Sequence, residues 1–508
     1  MNKLLLLVPL CLTCVSLGAK PRFITYEQYG AKGDGHTDDM PAIVAAHKAA
    51  NEKGLPVRAK DGKTYFISNA PLTAEIRTDT DFGKAKFIID DVGTEGIRKA
   101  VFTVLPDEES FQPDGLRTLY RGQTNLGTRL PCRCLVEVMN NGHKVFIRKG
   151  LNQNSGTAQK EVLLVDKDGS IDPSTPVVFN YDQITSVKAW PVGEKPISLK
   201  GGTFTTIANQ CENTRMYHAR GITVKRSNTR IEGITHLVAG ELDHGAPYGG
   251  FILLDHVTGV VVSDCLMTGH KTYVRAKGAA GKPVRVGTYD LNASCSAGIL
   301  WKNCRQTNSI DDTTYWGVFT SNFCKDLRLE DCSFSRFDAH QSVTNVRLKG
   351  CTFGHMAVRM VGYGTIRMED CEEHANYLLA LRDDYGSTWD GDIIVRNCII
   401  KPNADVKEVF ILKGGNNGSH DFGYPCSLPS SLTVEGLVID DSAVTSPNYK
   451  GPSVLSSFSR KTGAEEPFPF KTDCIVNLSA LQISSGKPLS PAPNPGAFPG
   501  LVVRGETH

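Results

Sequence analysis

Apolar and polar positions along this chain alternate in short bursts, and one burst recurs. DLRLEDCSF (326–334), NVRLKGCTF (345–353), TIRMEDCEE (365–373) and DIIVRNCII (392–400) repeat the same alternation and the same cysteine. A period of two predicts strands with one buried face. Related phrases are GITVKR (221–226), TRIEGI (229–234), GFILLDH (250–256), GVVVSDC (259–265), GILWKNC (298–304) and SLTVEGLVI (431–439). Cys332 to Cys351 is 19 residues and Cys351 to Cys371 is 20. A coil of three short strands and their turns has about that length, with successive coils about 4.8 Å apart. Strict alternation puts Val346, Leu348 and Gly350 on one side and Arg347, Lys349 and Cys351 on the other. Leu348 and Cys351 therefore share a core only if the chain bends or bulges near Gly350. The fixed leucines of a leucine-rich repeat are missing.

Ahead of the repeats, FITYEQYGAKGDGHTDDMPAIVAAHKAANEKG (23–54) changes period. Phe23, Thr25 and Tyr26 predict a strand, and Gly30, Gly33 and Gly35 a turn. Thr37 is the expected N-cap of a helix, with Asp38 and Asp39 in its first turn. Ala42, Ile43, Ala46, Ala49 and Ala50 form its buried stripe and Gly54 its end. The glycine turn lacks the Lys-Ser/Thr ending of a phosphate loop and reads as structural. YGAKGDGHTDD resembles the start of pectate-lyase-like proteins. That resemblance implies an all-β, right-handed parallel β-helix whose first end is capped by a short helix.

Five segments are expected: a signal peptide (1–19), a cap with the first coils (20–109), a β-rich insertion (110–195), the main β-helix (196–445) and a tail (446–508). In the insertion, VFIRKG (145–150), EVLLVD (161–166) and PVVFNY (176–181) read as strands of a small antiparallel sheet. The tail carries SGKPLSPAPNPGAFPG (485–500), which has no period and is expected to lie on the surface or stay partly disordered.

Composition narrows the function. The 508 residues carry a formal charge of +2, which argues against nucleic acid as the main ligand. Lys3, the apolar run Leu4–Leu12 and the small residues Ser16, Gly18 and Ala19 read as a cleavable export signal. Cys11 and Cys14 fit a lipid-attachment site poorly. No later run is long enough to span a membrane. A secreted or periplasmic bacterial protein, acting as a monomer, is expected. Cys265, Cys304, Cys332, Cys351, Cys371 and Cys398 share one place in the repeat and are expected to stack as small buried hydrophobes. No CxxC pair suggests zinc.

Reactive side chains gather between the phrases. His340 lies eight residues after Cys332 and Arg359 eight after Cys351, so coils in register would make them neighbours. Asp338 shares the face of His340 by the period of two. Arg382, Asp383, Asp384 and Tyr385 open a long loop after the apolar strand YLLAL (377–381).

From Tyr217 to Cys398 the chain also resembles secreted bacterial β-helix polysaccharide lyases, among them chondroitin-sulfate lyases. YHARGITV (217–224), GHKTY (269–273), YWG (315–317), SNFCK (321–325), SRFDAH (335–340) and LRDDYGSTW (381–389) carry the resemblance. It implies an acidic polysaccharide substrate and a site drawn from GHKTY, FDAH and LRDDYG. Elimination on a uronic acid needs the carboxylate neutralised, a base at C5 and an acid at O4. Arg382 and Arg359 are candidates to grip the carboxylate, and His340 is the candidate base with Asp338 setting its tautomer. Tyr385 or Tyr273 would supply the acid, and Lys271 is the alternative base. His270, Tyr315, Trp316, Asn322, Asp384 and Trp389 are further substrate contacts, the tryptophans by stacking on sugar rings. Two readings stay open: a hydrolase using Asp338 with Asp383 or Asp384, and a solenoid that binds sugar without cutting it. Calcium also stays open, with Asp311, Asp312, Asp383, Asp384, Asp390 and Asp392 as oxygen donors.

Overall fold

The computed structural model describes residues 22–148, 155–193, 195–211, 216–242, 244–271, 273–275, 284–415, 421–457 and 470–505. The expected signal segment lies outside the described residues.

The recurring phrase builds a parallel ladder. Leu327, Val346, Ile366, Ile393, Leu432 and Val476 are register partners in turn, one per coil, and all are buried. The regular coils between 197 and 439 also add strands to two further faces. One is short and stacks Phe334, Phe353, Glu373, Ile400 and Ile439. The other stacks Ile222, Ile252, Leu291 and Phe319, and its outer side carries the groove described below. Side chains pointing inward from three faces fill the interior, so the chain is a parallel β-helix. Each coil buries its apolar side only because its neighbours close the ends.

The bend expected near Gly350 is a corner in left-handed backbone, not an extra residue. Asp264, Asn303, Asp331, Gly350, Asp370 and Asn397 each precede a stacked cysteine, with φ of 54, 49, 53, 61, 55 and 50°. Aspartate, asparagine and glycine are the residues that enter this region at least cost. The corner turns both Leu348 and Cys351 inward. The six cysteines stack as buried thiols, as expected, and all thirteen in the described residues are free.

Helix α1 (Met40–Lys53) buries Met40, Ile43, Ala46, His47, Ala49 and Ala50 against the first coils and ends on Gly54, φ 63°. It starts after Asp39 rather than after Thr37. Asp39 holds the glycine turn, accepting the backbone N–H of Lys32 at 2.6 Å and of Gly33 at 3.0 Å.

The insertion is a three-stranded antiparallel sheet of Cys134–Val145, Thr157–Val165 and Ser186–Pro191. Of the strand expected at 145–150, Val145 is the end of the first strand, 146–148 are irregular, and 149–150 lie outside the described residues. The one expected at 176–181 is irregular, because Val178 and Phe179 donate their N–H groups to the Glu161 carboxylate rather than to a neighbouring strand. Glu161 in turn pairs with Lys325 of the β-helix at 2.5 Å, both buried. The ladder also runs past 445. Cys474–Ser479 pairs with Ser431–Glu435 and is covered by Leu501–Arg504, so part of the expected tail forms the last coils. Among the described residues no helix is long and apolar enough to cross a membrane.

Candidate functional site

On the strand from Ser333 to Lys349, Phe337 and Ala339 enter the core. Alternation sends Arg336, Asp338 and His340 to the outer side of the groove face. There Asp338 is fully buried beneath its own partners. Arg382 Nη1 donates to its Oδ1 at 2.6 Å and His340 Nε2 to its Oδ2 at 2.7 Å, while Arg336 Nη2 also reaches Oδ2. Arg382 forks onto Asp384 as well, at 3.0 and 2.7 Å, and Arg148 of the insertion reaches Asp384 at 3.2 Å. The Arg336 guanidinium lies 4.9 Å above the Trp316 ring.

Burial alone would push the Asp338 carboxyl up. The charges of Arg336 and Arg382, with the hydrogen bond from His340, outweigh it and hold Asp338 well below the usual carboxylate range. Burial lowers the His340 imidazole, against the pull of Asp338, so it favours the neutral form. Its Nε2 proton is committed to Asp338, which leaves the lone pair on Nδ1. Tyr289 places its hydroxyl 3.0 Å from His340 Nε2 and accepts the Trp316 indole N–H at 3.2 Å. Burial, then the Asp338 charge, raises the Tyr289 phenol and keeps it protonated.

His340 is 26% exposed and stands at one end of a groove of about 640 Å³ that runs along this face. Thr103, Thr223, Leu253, Asn292 and Thr320 follow one another along its floor, one per coil. Arg98, Lys99 and Lys225 line it towards the far end, and Asn322 and Tyr289 beside His340.

The sequence-predicted residues divide. His340, Asp338, Arg382, Asp384, Trp316 and Asn322 come together around the groove end. Arg359 is opposite Asp338, not His340. Phe334 pairs with Phe353, 19 residues on, but Arg336 pairs with Ala357, 21 on, so two extra residues displace the expected register. Arg382 is spent on two carboxylates and is only 9% exposed, so it positions Asp338 rather than gripping a substrate. Tyr385 is buried beneath the Arg148 and Arg382 guanidinium groups, and Trp389 is buried in the core with its indole N–H on the Gly364 carbonyl. Neither presents a surface to a sugar. His270 is buried against Tyr248, its ring centroid 3.9 Å away, with Nδ1 3.1 Å from Glu241. The Lys271 backbone N–H also meets Glu241, and Lys271 bridges to Tyr315, away from the groove lining. The strand Tyr273–Arg275 pairs with Val284–Val286 in a ribbon of its own.

The six candidate calcium ligands do not converge. Asp384 is taken by Arg382 and Arg148, Asp390 by Arg121, Asp311 by His374 and Asp392 by Ser431. Three residues were missed. Arg336 lies two before Asp338 and was readable from the period. Tyr289 and Arg148 stand in segments with no repeat to mark them.

Fold and groove place the chain among parallel β-helix proteins. No family model matches it and no curated protein sequence does. Among solved structures it is similar to the tailspike protein gp49 from Pseudomonas phage LKA1, at 13% identity and a TM-score of 0.52, covering 95% of this chain and 84% of that one. It is also similar to the Gp54 tailspike of Acinetobacter baumannii bacteriophage AP22, solved in complex with a capsular saccharide. The identity there is 10%, the TM-score 0.51, and the coverage 95% and 79%. At such identities the likeness is one of fold.

Proposed function

We propose that this chain is an exported, monomeric polysaccharide lyase that cleaves a uronic-acid polymer by β-elimination in the groove ending at His340. A glycosaminoglycan such as chondroitin sulfate is the favoured substrate. The observation that carries the reading is the geometry at the groove end, where His340 Nε2 lies 2.7 Å from the buried Asp338 carboxylate and 3.0 Å from the Tyr289 hydroxyl. His340 Nδ1 takes the C5 proton, and the Tyr289 hydroxyl protonates the departing O4. The Asn322 amide lies beside His340 and faces the uronate carboxylate. Arg98, Lys99 and Lys225 attract the anionic sugars that follow along the groove. Binding of a saccharide by the similar AP22 tailspike agrees with a sugar in this groove.

Hydrolysis by Asp338 and Asp384 fits less well. Cations hold both carboxyls below their ordinary values, so neither is a proton donor. The test is incubation with chondroitin sulfate, pectin and alginate. An ultraviolet absorbance from an unsaturated uronide, lost in His340→Ala, is expected. Reducing ends without that absorbance would make the protein a hydrolase, and neither signal would make it a binder.

A further inference from the structure

We infer that Glu137, His256 and Cys295 form a binding site for a zinc-class divalent cation at the seam between the insertion and the β-helix. One ligand atom from each lies within 4.8 Å of the other two. Glu137 comes from the first strand of the insertion. His256 and Cys295 follow Asp255 and Ser294, which are register partners, so both occupy the same corner of consecutive coils. Both are in left-handed backbone, φ 54 and 48°. The corner thus sets an imidazole and a thiol one interstrand spacing apart, and the insertion brings a carboxylate down on them.

The donor set of nitrogen, sulfur and oxygen suits zinc and its neighbours better than calcium or magnesium. His256 Nε2 and Glu137 Oε2 are 3.2 Å apart. That is close to the edge of a tetrahedron with zinc–ligand bonds, about 3.3–3.6 Å. The other ring nitrogen, Nδ1, lies 2.7 Å from the Asp255 carboxylate. A carboxylate on the far nitrogen is how ligating histidines are oriented, with the lone pair of the near one turned to the metal. Trp190 stacks on the imidazole with centroids 4.1 Å apart and shields that side. Lys160 Nζ, 3.4 Å from Glu137 Oε2, is the competing cation, and an ion would displace it. Three protein ligands leave a fourth position for water. Binding releases to solvent both the thiol proton and the proton that His256 Nε2 shares with Glu137, so affinity rises with pH. Asp255 also lines the groove, so the ion would lock the insertion beside the groove wall.

The test uses the full chain, stripped with a chelator and titrated with Co²⁺ and Zn²⁺. One equivalent per chain is expected, with a cobalt–thiolate charge-transfer absorption that Cys295→Ser removes. Asp255→Asn should weaken binding about 10–100-fold. No binding, or a cobalt band that survives Cys295→Ser, would overturn the site. Should Cys295→Ser fail to fold, Glu137→Gln decides. A loss of at least about tenfold in affinity supports the site, because a neutral amide is a poor ligand; wild-type affinity overturns it.

Discussion

Asp338 has no exposed atom to solvate, yet it keeps its charge because Arg336, Arg382 and His340 surround it. Removing that charge leaves two buried guanidinium groups facing an amide. Asp338→Asn is therefore expected to lose about 3–5 kcal/mol in denaturant unfolding. It should also lower turnover, because the amide no longer dictates which imidazole nitrogen carries the proton. Tyr289→Phe separates chemistry from stability. It removes one hydroxyl, costs about 1 kcal/mol, and should cut kcat about 10²–10⁴-fold with little change in KM. A Tyr289→Phe protein with wild-type kcat would remove the phenol from the reaction.

At the scale of the element, the corner before each cysteine decides how a coil folds. Gly350 has φ 61°, and a Cβ there would lie 2.5 Å from Asp331 Oδ1. Gly350→Ala is expected to destabilise by about 1–2 kcal/mol, read as a lower melting temperature. Asp370→Gly, at φ 55°, should change stability by less than about 1 kcal/mol, since glycine enters this region freely. Equal losses at both positions would mean that sterics do not govern the corner. The alternation of the phrases and the cysteine stack were legible in the sequence because period and spacing are local. The displaced partner of Arg359 was not, because the two extra residues beyond Phe353 lie in a stretch with no pattern to count against.

For the whole molecule, two devices join parts far apart in sequence. The Lys325–Glu161 pair docks the insertion on the β-helix from within a buried seam. Lys325→Met removes the cation paired with the buried Glu161 carboxyl, so a loss of about 3–5 kcal/mol and faster proteolysis within 134–191 are expected. The other is the cap, where His47 of α1 meets the Tyr26 hydroxyl at 3.2 Å inside the core. Burial lowers His47 from 6.5 to about 3, and His218 to about 4. Both are neutral when folded and protonate more readily when unfolded. Their stabilising effect is thus complete above about pH 6.5 and is lost as the pH falls towards 3–4. The melting temperature should drop between pH 7 and pH 4, and His47→Gln should make that drop smaller.

By itself the sequence determined the parallel solenoid, its helical cap, the buried thiol stack, and the pairing of Asp338 with His340. The solenoid, the thiol stack and the shared face of Asp338 and His340 follow from spacing along one or two coils, while the capping role of the helix came from the resemblance of YGAKGDGHTDD. Only the tertiary structure decided that Arg382 serves Asp338, that Trp389 and Tyr385 are buried, and that Tyr289 stands beside His340. It also decided that the insertion sends Arg148 to one cluster and Glu137 to another. These juxtapositions join residues tens to hundreds of positions apart. They depend on how coils of unequal length stack and on how a separate sheet docks against them, and a local period carries no record of either.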